Sequence, residues 1–294
     1  MSAFLQATAY GLLQGGLLAL VAVGFSMVWG VMNVINVAQG AFVILGAYIG
    51  WEMHAWFGLD PFLGMFAAAA VLFVIGYAIQ RCLINLVVNG PIFITLLLTF
   101  GLDLLLVQGM NIVFSADYRG IETSYASNSL SFGSVRVPVG RLLAFVLAVA
   151  VTLLLVAFVN RTRTGISILA TGMDRGAARL MGIRARHVYA LTFAIAAGLA
   201  GMAGAMIGTV GTFNPAAASQ FTLMSFVVAV LGGLGNMYGA LVGGLVIGLV
   251  EAWSGQYLPG TWVNAVAFAV LIVVLVVRPS GLVGRAYYSF RLEV

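Results

Sequence analysis

The chain has 294 residues, 63% of them hydrophobic and only 7% charged, with a formal net charge of +5. Soluble domains carry roughly 25% charged residues, and thirteen basic and eight acidic side chains cannot coat a water-facing exterior of this size. This excludes a soluble globular fold, and the apolar content excludes disorder; the surface faces a lipid bilayer. Every basic residue is Arg, and these lie at the ends of apolar runs rather than in a stripe, so the basic charge marks loops and not a nucleic-acid partner. A single cysteine, Cys82, leaves no intrachain disulfide framework.

A membrane span needs about 20 mostly apolar residues. The first such run covers Ala7 to Met32; no basic stretch precedes it, so it reads as a resident span and not a cleaved leader. A second covers Ala38 to Trp56, and Asp60-Pro61 marks a turn. The third runs from Phe62 to about Leu86, and Asn89-Gly90-Pro91 breaks it and starts the fourth, Pro91 to about Phe114. Residues 115–139 are polar and read as an extramembrane loop; within it Ser129 to Val137 alternates around Gly133 as a short hairpin. A fifth span covers Gly140 to Asn160.

Residues 161–187 hold six Arg against one acid, Asp174, and short loops this rich in Arg stay cytoplasmic. The tail, about 279–294, follows Arg278 and is expected on the same side. Apolar runs at Val188 to Val210, Phe221 to Val250 and Thr261 to Val277 lie between these two markers, so an even number of crossings, two or four, separates them. The middle run reads equally as one tilted span, two spans or a pair of broken half-helices. The expected fold is an all-α integral membrane protein: one transmembrane domain over 1–294, a polytopic bundle of about eight transmembrane helices with broken or re-entrant segments.

Small residues let membrane helices approach closely. Gly198, Gly201, Gly204, Gly208 and Gly211 recur at three- and four-residue spacing and read as one helix face. Gly235, Gly239 and Gly243 read as a second series, and Gly244 with Gly248 as a third. Plain packing accounts for any one of them; their density suggests helices that slide or hinge. The stretch Asn33 to Ala41, which includes Gly40, resembles Gly232 to Ala240, each with Asn shortly before Gly-Ala. The similarity is weak, and whether it marks an internal repeat stays open.

Asp103 within the fourth run and Glu251 at the end of the long middle run read as intramembrane acids, and neither should face lipid. Each reads as a pathway-lining or gating group or as a hydrogen bond that fixes the bundle. Asn33, Asn36, Gln39, Asn214 and Asn236 stand at helix breaks, where amides serve freed backbone groups or a passing polar solute. No phosphate-binding Gly-rich loop, metal-ligand spacing, nucleophile elbow, Arg ladder or carbonyl filter occurs. The chain therefore reads as neither an enzyme nor a nucleotide binder. An autonomous ion- or proton-coupled carrier using Asp103 or Glu251 remains the alternative to a subunit powered from outside.

The sequence resembles the permease subunits of branched-chain amino-acid ABC importers, the smaller of the two paired permeases. The resemblance rests on Ala229 to Asn236 with Gly239-Ala240, Gly243-Gly244, Gly248 and Glu251; on Asn36 to Gly40; and on Arg278 to Gly284. A fourth block lies in the Arg-rich loop, at Gly165, Ala170, Asp174, Ala178 and Gly182-Ile183. The resemblance implies a coupling helix there that docks on an ATPase, through Asp174, Arg175, Ala178, Arg179, Gly182 and Ile183. The loop's residues alone fit that role or a topological anchor. The family usually carries an Arg just before the position of Ala170, where this chain has Ile168 and Leu169. The resemblance further implies a bacterial inner-membrane location, a second permease subunit, two ATPases that bind ATP and Mg, and a periplasmic solute-binding protein.

Overall fold

The computed structural model describes residues 2–88, 90–121, 128–132 and 135–284. Residues 122–127 of the polar loop, Gly133 and Ser134, and the tail beyond Gly284 lie outside them.

Helix α1, Ser2–Met32, starts beside the hairpin, where Gln6 Nε2 donates to the Arg136 carbonyl at 2.6 Å. It ends against the Arg-rich segment, where Gly30 packs on Gly172. These two contacts define a hairpin end and an Arg-rich end. Thirty residues of α-helix rise about 45 Å, enough to cross a hydrocarbon core of about 30 Å.

The chain then turns back. Asn33 adopts a left-handed conformation with φ of 53°, and an extended stretch re-enters the bundle. Helix α2, Gln39–Phe57, begins level with the interior of α1, since Gln39 Nε2 donates to the Val21 carbonyl at 3.1 Å. Val21 lies eleven residues before Met32, about 16 Å inside the Arg-rich end. So α2 starts at mid-depth and runs to the hairpin end.

Helix α3, Pro61–Ile79, is capped by Asp60 and returns to the Arg-rich end through a π-turn, Gln80–Ile84, and the short α4, Asn85–Val87. Helix α5, Ile92–Phe114, crosses back. Strands β1, Ser129–Phe132, and β2, Val135–Pro138, pair antiparallel as the hairpin. Helix α6, Val139–Arg161, leads to the Arg-rich end, where α7, Arg163–Met173, and α8, Arg175–Leu180, lie.

Four helices follow: α9, Ala185–Val210; α10, Ala218–Gly232; α11, Met237–Tyr257; and α12, Val263–Val277. Four crossings between the Arg-rich segment and the tail satisfy the parity expected. The run Phe221 to Val250 is two helices, broken at Gly233 to Asn236, where Gly233 and Gly235 have φ of 106° and 81°. Eight helices among the described residues are long and apolar enough to cross a membrane, and α2 is not among them.

The helices form an inverted repeat. α1 packs along α11 as α9 packs along α3, α2 lies on α3 as α10 lies on α11, and α2 touches α5 as α10 touches α12. Each first-half helix runs opposite to its counterpart. α10 also starts at mid-depth, where the Gly40 backbone meets Ala218 and Thr222, and it runs to the Arg-rich end.

The weak likeness between Asn33–Ala41 and Gly232–Ala240 does not mark this repeat. The counterpart of the first break is the stretch before Ala218, which carries Asn214-Pro215, while Gly232–Ala240 joins two helices at the Arg-rich end.

The glycine series divide among neighbours. Gly198 and Gly201 receive Ala69, Ala68 and Leu72 of α3, whereas Gly204 and Gly208 receive Val43 and Ala47 of α2. One face of α9 therefore serves two partners. On α11, Gly239 and Gly243 meet Gly232 and Val228 of α10, and Gly244 and Gly248 meet Ala19, Gly11 and Gly15 of α1. Gly235 precedes α11 and belongs to the turn, not to the helical series.

Candidate translocation and coupling site

At mid-depth, an extended backbone carries polar groups that lipid cannot satisfy. Side chains from other helices supply the bonds. Thr99 of α5 donates to the Ile35 carbonyl at 2.8 Å and accepts from the Val37 amide at 3.3 Å. Thr222 of α10 donates to the Val37 carbonyl at 2.9 Å and accepts from the Gly40 amide at 2.9 Å. Asn36 Nδ2 donates to Gln39 Oε1 at 3.0 Å. Asn36 and Gln39 are both buried, and Asn36 Oδ1 has no hydrogen-bond partner among the described residues.

Gly40 sits where the N-terminal ends of α2 and α10 meet, and any Cβ there would enter the Ala218 carbonyl. The break is therefore a buried, hydrogen-bonded joint between the two halves. Sequence reasoning passed over Thr222 as one polar residue in an apolar helix. Thr99 has one sequence signal, its spacing of four from both Thr95 and Asp103, which puts the three on one face of α5.

The other singled-out amides act locally. Asn214 Oδ1 accepts from the Ala217 amide at 3.1 Å and starts the turn before α10. Asn236 caps α11 through the Gly239 amide at 3.1 Å, and its Nδ2 donates to the Val283 carbonyl at 3.0 Å, tying the tail to the break. Ser26 of α1 accepts from the Gly235 amide at 3.0 Å at the same joint. Asn33 ends α1. Asn33, Asn214 and Asn236 do not form one cluster with Asp103 and Glu251. Asp103 lies half-buried on α5, one turn past Thr99, with Oδ1 shielded from solvent. Glu251 lies half-buried on α11, near the seam that α11 forms with α1.

At the Arg-rich end, Asp174 Oδ1 accepts from the Gly176 and Ala177 amides at 2.7 and 3.0 Å and caps α8. Gly182, at φ 82°, closes it: its amide donates to the Arg179 carbonyl, and the Ile183 amide to the Ala178 carbonyl at 3.0 Å. This pairing is the Schellman arrangement. Ala178 is buried, whereas Met173, Leu180 and Met181 are 76%, 90% and 83% exposed. The preceding helix α7 was not anticipated; Thr162 caps it through the Gly165 amide at 3.0 Å. It joins the bundle where Gly172 meets Gly30 of α1 and Gly165 meets Val159 of α6. Arg175 places its guanidinium 5.3 Å from the Tyr189 ring of α9.

Residues 7–275 match the family of branched-chain amino acid transport system permease components. The chain belongs to that family. The permease is 32% identical to the high-affinity branched-chain amino acid transport system permease protein BraD of Pseudomonas aeruginosa, over 96% of each chain. It is 30% identical to LivH of Escherichia coli K12, again over 96% of each. It is 26% identical to a LivH-type permease of Methanocaldococcus jannaschii, over 93% of this chain and 90% of the relative. No solved structure matches it at a significant level. As a transport permease the chain is not an enzyme, and its apolar helices make it a multi-pass membrane protein.

Proposed function

We propose that this permease is one subunit of an ATP-driven importer that carries branched-chain or related amino acids across a bacterial inner membrane. Its Arg-rich end is cytoplasmic and its hairpin end periplasmic, by the Arg asymmetry of the loops. A second permease subunit completes the pathway, two ATPases bind ATP and Mg, and a periplasmic binding protein delivers the solute.

The observation that carries the ATPase assignment is the surface around α8. Leu180 and Met181 expose apolar area outside the spans at the end of a short helix capped at both ends, and Met173, the last residue of α7, exposes more beside it. Exposed apolar patches of this kind mark protein contacts.

The packing also gives force a route. α7 leans on α1 through Gly172 and Gly30, and Arg175 leans on α9 through Tyr189. α1 and α9 are the helices that lead into the two mid-depth breaks. ATPase closure favours one state of the bundle to the extent that α8 binds it better in that state. Movement of α8 reaches the joint through rigid helices. The breaks at Asn33–Ala38 and Gly211–Ala217 give each half a place to bend.

The test is reconstitution in proteoliposomes. Leucine uptake is expected only with the second permease, the ATPases, the binding protein and ATP together. Uptake by this chain alone, driven by an ion gradient, would sink the proposal and leave Asp103 or Glu251 as coupling groups.

A further inference from the structure

Where the end of α3 meets the start of α9, the surface opens into a cavity of about 840 Å³. Arg81, Arg179, Arg184 and Arg186 line it, together with Tyr77 and His187. Four Arg thus border one concavity. Asp174, the acid nearest in sequence to Arg179, is engaged in capping α8. The 26-residue helix α9 begins at this wall with no side-chain cap, so its first amides and the positive end of its dipole add to the same field.

The walls are fixed. Gln80 Nε2 donates to Asn85 Oδ1 at 3.2 Å, Asn85 Nδ2 donates to the Arg186 carbonyl at 3.3 Å, and the Tyr77 hydroxyl lies 3.2 Å from His187 Nδ1. Towards the bilayer, α3 continues from Tyr77 into an outward face that exposes Phe73 and Val74.

We propose that this cavity is a headgroup site for an anionic phospholipid. The phosphate is held by Arg81, Arg184 and Arg186, and the acyl chains lie along Phe73 and Val74 of α3. A phosphate anion is the shared chemistry of a lipid and a free ion. The lipid is favoured because the cavity sits at the rim of two spans and its wall residue Tyr77 stands one helical turn from the exposed Phe73 and Val74 of α3, an apolar face that a free ion does not use. Basic pockets between transmembrane helices bind such headgroups, and each basic group near the surface adds about fivefold in affinity.

The test uses the full chain, purified and stripped of lipid, titrated with phosphatidylglycerol or phosphatidylcholine and read by native mass spectrometry. The wild type is expected to retain phosphatidylglycerol preferentially. Arg184→Gln alone, an exposed change outside any helix, is expected to weaken that retention about fivefold. The combined R81Q, R184Q, R186Q variant is expected to weaken it roughly a hundredfold. Arg136→Gln, at the opposite end, is expected to leave it unchanged.

Equal retention of the two lipids by the wild type would overturn the proposal, as would undiminished phosphatidylglycerol retention by Arg184→Gln and the combined variant. Displacement of the lipid by inorganic phosphate at equal concentration would reassign the cavity to a free anion.

Discussion

Gly40 and Glu251 show what single residues do in this fold. At Gly40 two helix N-termini meet with their backbones in contact, and the obstacle to a side chain is the Ala218 carbonyl, which cannot rotate away. Gly40→Ala should therefore destabilise the bundle by about 1–3 kcal/mol, the usual effect of overpacking. This would appear as a lowered unfolding temperature in detergent. Gly109→Ala, with nothing within 4 Å of its would-be Cβ, should leave that temperature unchanged. At Glu251 the question is hydrogen bonding against charge. An ionisable group in a span faces protein or water and not lipid, and Glu251 keeps part of its surface open. Glu251→Gln retains the hydrogen-bonding capacity and Glu251→Leu removes it, at roughly 1–2 kcal/mol for a bond between membrane helices. Copurification of the second permease should fall several-fold more for Glu251→Leu. Equal losses would show that charge, not hydrogen bonding, is what the position needs.

Among elements, α8 yields the clearest prediction. Its caps, Asp174 and Gly182, hold Leu180 and Met181 in place beside Met173 at the end of α7. Replacing residues 174–183 by a Gly-Ser segment removes both the shape and the apolar contact. ATP hydrolysis by the assembled complex should then proceed without leucine uptake, while the spans remain inserted; unchanged uptake would refute coupling through α8. The milder Asp174→Ala loses one cap, worth about 1 kcal/mol, and should only reduce coupling. The helix was expected from the family resemblance, and the structure shows that its ends are set by Asp174 and Gly182. α7 is not legible in the Arg count of this segment; its sequence signal is the Thr162 cap three residues before Gly165. The length of Phe221–Val250 could not separate one span from two. The two glycines with positive φ, Gly233 and Gly235, decide it, and φ is not written in hydropathy.

The whole molecule is an inverted repeat whose halves meet at two half-helix starts. Composition made the membrane and the approximate number of spans legible. The repeat was not legible, because its halves share geometry and direction of packing rather than an Asn-Gly-Ala string. α2 falls short of a full span for a physical reason: it starts at mid-depth, so its second half, with Glu52 and His54, lies towards the hairpin end and needs no apolar exterior.

The architecture places the hairpin and α8 at opposite ends of the bundle, and the coupling proposal requires the α8 end to be cytoplasmic. One labelling pair tests both. In a Cys82→Ser background, a thiol at Ser129 stands on the exposed hairpin and a thiol at Met181 on the exposed edge of α8. With the chain expressed without ATPases, so that nothing covers α8, a membrane-impermeant maleimide applied to spheroplasts should label Ser129→Cys and spare Met181→Cys. Inside-out vesicles should give the reverse. Labelling of both from one side would contradict the opposed ends themselves. A clean exchange of the two patterns would keep the fold but turn it over in the membrane. The exposed face of α8 would then point away from ATP, and the importer reading would fall with it.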